Sequence, residues 1–208
     1  MSSSMLQVAG QIEQAGDPTE LNSLLLAGLV ERLAAGPRFE LVDIGPAREA
    51  TIAFFSQFHC RLHIEDAIAA LARPAPSTDE EEAWFEGRLK ALLTPPASVG
   101  EVDAVLCWDL LDHLSRPRLA AFATHLAPWL RRGAHLHAFI STRPDIPGQP
   151  AGFEVLEAST VRVQARPGPL QPAPRYHQLD LGRLMPQFAV ERSVLLRNGL
   201  QEYLLRRH

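Results

Sequence analysis

Cysteine is nearly absent from this chain of 208 residues: Cys60 and Cys107 are the only two, too few for a disulfide framework. An excess of positive charge is lacking as well. The formal net charge of -4 and a pI near 6.1 leave no extended basic field, which removes the phosphate-neutralising signature of a nucleic-acid binder. Long apolar runs are missing; the purest, Leu24 to Val30, is far shorter than a membrane span. The start Met-Ser-Ser-Ser has neither the charged nor the apolar region of a secretory signal. Together these absences set the expectation of a soluble, cytoplasmic protein with reduced thiols, with neither nucleic acid nor membrane as partner.

What is present suffices for one substantial core. Hydrophobic residues make up 46% of the chain, and the length favours a single domain over residues 1–208. Residues 1–16 read as a tail or an N-terminal helix. Asp17-Pro18-Thr19-Glu20 carries the residue types of a helix start, predicting a helix from there to about Ala35, where Gly36-Pro37 stops it. Its Leu21, Leu25, Leu29 and Leu33 would share a core-facing stripe.

The most informative stretch is Phe39 to Arg48. An apolar strand ends in the acid Asp43, turns through Gly45, and leads into a helix expected from Glu49 to about Phe58. Strand, glycine turn and helix start build nucleotide sites, because glycine lets the backbone bend and approach a ligand while the helix offers unpaired N–H groups. A second strand, Cys60 to Ile64, follows and ends at Glu65. The spacing of about 20 residues from Gly45 is that of an acid returning beside a ribose. A helix capping role for the same acid is equally consistent with the sequence.

Beyond Pro74, Ser77-Thr78-Asp79-Glu80 opens a further helix, through Trp84, Phe85 and Leu89 to Pro95-Pro96; Glu80-Glu81-Glu82 reads as its solvated first turn, not as a metal cluster. No strand is evident between 66 and 102. Asp103 to Trp108 has the continuous apolar character of a strand buried on both faces and ends in Asp109-Leu110-Leu111-Asp112-His113. Pro117 begins a helix whose stripe is Leu119, Phe122, Leu126 and Leu130, closed by Arg131-Arg132-Gly133. His135 to Ile140 is the next strand. Eight of the 17 prolines fall between 141 and 187, a segment expected to be a cover or insert holding one solvent-facing strand from about Glu154 to Ala165. Phe188 to Leu196, Asn198-Gly199 and Leu200 to Arg206 read as a closing β-hairpin.

This order of elements resembles the class I S-adenosylmethionine-dependent methyltransferases over roughly residues 20 to 208. Asp43-Ile44-Gly45-Pro46-Ala47-Arg48-Glu49 stands where that family has acid-x-Gly-x-Gly-x-Gly, and Val-Asp-Ala-Val-Leu-Cys-Trp-Asp-Leu-Leu-Asp-His-Leu resembles its fourth motif. The resemblance implies an α/β, Rossmann-like methyltransferase fold: a mostly parallel twisted sheet flanked by helices, with a C-terminal antiparallel hairpin. It implies S-adenosylmethionine as cofactor and a small molecule as methyl acceptor. By position, Asp43 would orient the cofactor's amino group, Gly45 and Ala47 would pass beneath it, and Glu65 would take the ribose hydroxyls. Cys107, Trp108 and Asp109 would line the methionine end.

Asp109 and His113 are the candidate catalytic residues, since both follow a strand at the carboxyl edge where ligands bind, and His113 could act as a base if its imidazole faces the pocket. Ala47 and Glu49 replace two glycines of the motif. That degenerate form motivates a second reading, an inactive methyltransferase-fold protein serving as an interaction or regulatory module. A third, an NAD-binding Rossmann protein, draws on Gly45-x-Ala47-x-x-Ala50 and Glu65. No metal site is expected: His135 and His137 share a strand face without a third ligand. The strand order implied by the family puts Cys60 and Cys107 on either side of strand one, more than about 7 Å apart and unbonded. The partner is a small-molecule substrate or a protein, and the leucine-rich first helix and the hairpin offer surface for a homodimer.

Overall fold

The computed structural model describes residues 12–13, 17–74, 81–96 and 100–208. The expected helix start at 77–80 lies outside them, as does most of the 1–16 segment. The chain runs β1 (Ile12–Glu13), β2 (Thr19–Asn22), α1 (Leu24–Ala34), β3 (Phe39–Asp43), α2 (Glu49–Phe55), β4 (Cys60–Ile64) and α3 (Ile68–Leu71). It continues with α4 (Glu81–Leu92), β5 (Val102–Trp108), α5 (Arg116–Leu126), β6 (Leu130–Ser141) and β7 (Asp145–Pro147). The last elements are β8 (Gly152–Glu157), β9 (Thr160–Gln164), β10 (Gly168–Pro172), α6 (Gln178–Leu184), β11 (Phe188–Leu195) and β12 (Leu200–Arg207).

Six strands form the central sheet in the order β11-β12-β6-β5-β3-β4. β4, β3, β5 and β6 are mutually parallel, with Leu41 beside Leu62 and Val42 beside Val105; β12 is antiparallel to β6, and β11 to β12. Every residue of β3 and β5 is buried, which is why both read as nearly unbroken apolar runs in the sequence. This is the Rossmann-like methyltransferase fold, with the hairpin doubling back so that its second strand lies inside its first. Among the described residues no strand lies between β4 and β5, so β4 forms the edge. Cys60 and Cys107 sit on the two strands flanking β3, and both are free thiols. Among the described residues no helix is long and apolar enough to cross a membrane.

The first helix departs from expectation. Thr19 to Asn22, which carry the sequence signs of a helix start, pair instead with β9 as an antiparallel strand, and the helix begins at Leu24. Its N-terminal cap comes from the far end of the chain. Glu202 of β12, fully buried, accepts hydrogen bonds through Oε1 from the Ser23 hydroxyl, the Leu26 N–H at 3.0 Å and His137 Nε2 at 2.8 Å. A carboxylate at the first turn satisfies orphan donors as Asp17 would have, and suits the helix dipole. These bonds outweigh the cost of burial and hold Glu202 below its ordinary pKa.

Three further expectations are corrected. α2 ends at Phe55, short of Phe58, and a turn carries the chain into β4. α5 ends at Leu126 because Pro128 follows; a single 3-10 turn intervenes, and Leu130, Arg131 and Arg132 belong to β6, with Gly133 turning at φ +80°. The single strand expected from 154 to 165 is a hairpin, β8 and β9, turned at Ala158-Ser159, and it carries β2 on its outer edge. Val155 and Val161 are buried, since this small sheet lies on α2, where the Val155 N–H donates to Thr51 Oγ1 at 2.9 Å.

Replacing Glu202 with leucine would leave three buried donors unmatched, so we expect a loss of about 3 kcal/mol in urea unfolding. Adding Ser23→Ala to that variant should cost little more, because its acceptor is already gone; an additive double-mutant cycle would contradict the shared cap.

Candidate functional site

The carboxyl ends of β3, β4 and β5 converge on the Gly45 turn. Backbone bonds fix its shape: Glu65 N–H donates to Asp43 O at 2.9 Å, and Ala67 and Ile68 both donate to Ile44 O. The Asp43 side chain folds back, and its Oδ1 accepts from the Gly45 N–H at 2.8 Å. The same oxygen accepts from the indole Nε1–H of Trp108 at 2.6 Å. Asp43 is 2% exposed, and both of these bonds to its Oδ1 come from within the protein.

Trp108 reaches this position through its backbone. It ends β5 at φ +51°, a left-handed conformation that costs a bulky residue on the order of 1–3 kcal/mol and is sustained only where its surroundings demand it. The indole then lies directly on Gly45: a Cβ there would stand 2.8 Å from Nε1 and 3.0 Å from Cδ1. The glycine that in a nucleotide turn makes room for a ligand here makes room for a side chain. The outer face of the indole is covered by the 141–187 segment. Phe153 of β8 stacks on Trp108 with ring centroids 5.2 Å apart and planes 8° from parallel, and Phe139 of β6 stacks on Phe153 at 5.4 Å.

The acids after β5 anchor this cover. Asp109 Oδ2 accepts from the Ala151 N–H at 2.8 Å, and Asp112 Oδ2 accepts from the Ser141 N–H at 2.7 Å. His113, buried, holds Nε2 3.8 Å from Asp109 and Nδ1 3.4 Å from the Gln171 amide, so β10 closes over it. Burial pushes Asp43 up to about 6 against the opposing bonds from Trp108 and Gly45. It pushes Asp112 up to about 8, with the Ser141 bond opposing and neighbouring Asp109 reinforcing.

The structure thus brings Asp43, Gly45 and Trp108 into direct contact, and Asp109 beside His113. Cys107 is fully buried behind the strand, Ala47 is exposed, and Glu49 points outward from the first turn of α2. Glu65 is half-buried at the end of β4; burial raises its pKa while a bond from the Thr94 backbone lowers it. Among the described residues no group of three or more His, Cys, Asp or Glu could hold a metal ion. His135 Nε2 lies 2.9 Å from Arg32 and 3.1 Å from Glu191, and His137 is tied to Glu202. The role of Phe153 is invisible to motif reading; its one sequence signal is an aromatic residue placed in a proline-rich insert.

No protein-family profile and no curated protein sequence matches the chain. Solved structures do. The 1,6-didemethyltoxoflavin-N1-methyltransferase of Burkholderia thailandensis, crystallised with 1,6-didemethyltoxoflavin and S-adenosylhomocysteine, is 13% identical; the match covers 89% of this chain and 79% of that one, with a TM-score of 0.48. The magnesium protoporphyrin IX methyltransferase of Synechocystis PCC 6803, with bound S-adenosylmethionine, is 13% identical over 88% and 76% at a TM-score of 0.49. An S-adenosylmethionine-dependent methyltransferase from Aquifex aeolicus is 12% identical over 88% and 89% at 0.45. The fold assignment itself rests on the strand order of this chain.

Asp112 gives this region a pH signature. Its folded pKa is raised, so between the ordinary value of 3.8 and about 8 the folded chain holds a proton the unfolded chain has released, and stability falls as pH rises. The slope is at most about 1.4 kcal/mol per pH unit. Asp112→Asn keeps an acceptor for Ser141 and removes the titration. We expect the variant to gain stability over the parent steadily from about pH 5 to about pH 8 in chemical denaturation; parallel curves would contradict the assignment.

Proposed function

We propose that this protein is a methyltransferase-fold module whose cofactor position is filled by its own Trp108, and that it works through interaction or regulation, not methyl transfer. One observation carries the reading: Trp108 Nε1 occupies the acceptor on Asp43 and the space over Gly45 that a cofactor's methionine portion would need. In this arrangement the residues present do not fit S-adenosylmethionine. The stacked Phe153 and the backbone N–H bonds that Asp109 and Asp112 accept support the same reading, since they hold the cover against the outer face of the indole.

A second reading keeps the enzyme. Asp43, Gly45 and Glu65 stand together around the turn at the carboxyl ends of β3 and β4, the positions from which a methyltransferase would hold S-adenosylmethionine while a small molecule is methylated. It requires the indole and β8 to move outward together. The antiparallel hairpin beside β6 supports the methyltransferase frame over an all-parallel dinucleotide fold.

Calorimetry of the full chain with S-adenosylmethionine and S-adenosylhomocysteine separates the two. We expect no binding up to about 1 mM of either. Dissociation constants below about 0.1 mM for the parent protein would end the module reading and restore the enzyme. Trp108→Ala, which empties the space over Gly45, should lower stability by about 3 kcal/mol or more.

A further inference from the structure

A basic concavity lies at the opposite end of the sheet from the Gly45 turn. There the starts of β3, β5 and β6, the end of β12 and the last turn of α1 surround a cavity of about 560 Å³, within the range of small-molecule sites. Its wall carries Arg32, Arg38, Arg131, Arg132 and Arg206 against two acids, Asp103 and Glu191, a local surplus of three positive charges in a chain of net charge -4. His135, also in the wall, adds little charge, because burial holds its pKa below the ordinary value despite the opposing Glu191.

Both acids are fully engaged. Asp103 bonds Arg131 through Oδ1 and the Glu40 N–H through Oδ2 at 2.7 Å; Glu191 meets Arg32 at 3.0 Å and His135 at 3.1 Å. Three guanidinium groups remain. Arg38 has only a long contact, 3.9 Å, to Glu40, and Arg132 and Arg206 have no hydrogen bond or ion pair among the described residues. Their grouping is structural: Arg206 lies along Gly133, whose missing side chain leaves Nη2 3.4 Å from where a Cβ would be, and Arg132 precedes that turn. Arg132, Arg206 and the weakly paired Arg38, held around one mouth, repel one another, an arrangement that a multivalent anion relieves.

From this geometry we propose that the cavity is a binding site for a small ligand bearing a diphosphate group. Guanidinium forks match phosphate oxygens bidentately, and two linked phosphates present enough oxygens for Arg38, Arg132 and Arg206. The buried Phe39 and Leu33 give the cavity an apolar floor on which the rest of such a ligand can rest. The site is remote from Asp43 and independent of whether that position takes a cofactor.

Titration of the full chain with inorganic pyrophosphate, by calorimetry, tests this. We expect one site per chain with a dissociation constant of about 0.1 mM or tighter at low salt, weakening as salt rises. The double variant Arg132→Gln/Arg206→Gln should bind at least about tenfold more weakly while melting at the parent's temperature. If the double variant melts lower, Arg132→Gln alone, an exposed side chain without a partner, should still weaken binding by about threefold. No binding up to about 10 mM, unchanged affinity in the variants, or citrate bound as tightly as pyrophosphate would overturn the proposal.

Discussion

The carboxylate of Asp43 is the constraint on which the carboxyl end of the parallel strands depends. A buried acid at the tip of the central strand must find donors or be expelled, and it finds two, the Gly45 amide and the Trp108 indole. Everything around it follows from that requirement. Trp108 must leave β5 in a left-handed conformation to point its Nε1 at the acid, Gly45 must stay without a side chain, and the exposed face of the indole must be covered. Phe153 covers it, and Asp109 and Asp112 fasten the insert that delivers Phe153.

Seen this way, the acids that follow β5 change character. At the carboxyl edge of a parallel sheet, an acid and a histidine four residues apart suggest proton transfer. Here Asp109 and Asp112 each accept a backbone N–H through Oδ2, from the insert or the end of β6, so one oxygen of each is engaged in architecture while each Oδ1 is buried without a hydrogen-bond partner among the described residues. The insert in turn is no loose loop. Its strands β8 and β9 take β2 as a third member, so a segment from the start of the chain helps close the site.

Much of the frame was legible in the sequence. β3 and β4 begin and end where the alternation of apolar residues and breakers places them, and the Asn198-Gly199 turn locates the closing hairpin. What escaped was decided by partners distant in the chain. Asp17 to Glu20 have the local chemistry of a helix start, yet backbone pairing with β9 and the remote carboxylate of Glu202 move that start to Leu24. The site divided along the same line. Asp43 and Gly45 could be named from their spacing, whereas the indole that fills the space between them depends on one backbone angle at Trp108, and the ring that locks it comes from an insert with no recognisable pattern.

The Glu202 cap carries a consequence for how the chain assembles. Its contacts with Ser23 and Leu26 span 179 and 176 residues. α1 must wait for β12 before its leading turn is satisfied, and β12 in turn needs β6 to lie against. Closure of such a long loop is entropically slow to achieve and is reached late, when most of the sheet is formed. A chain built this way joins α1 to β12 late in folding, and loss of β12 would leave the first turn of α1 uncapped.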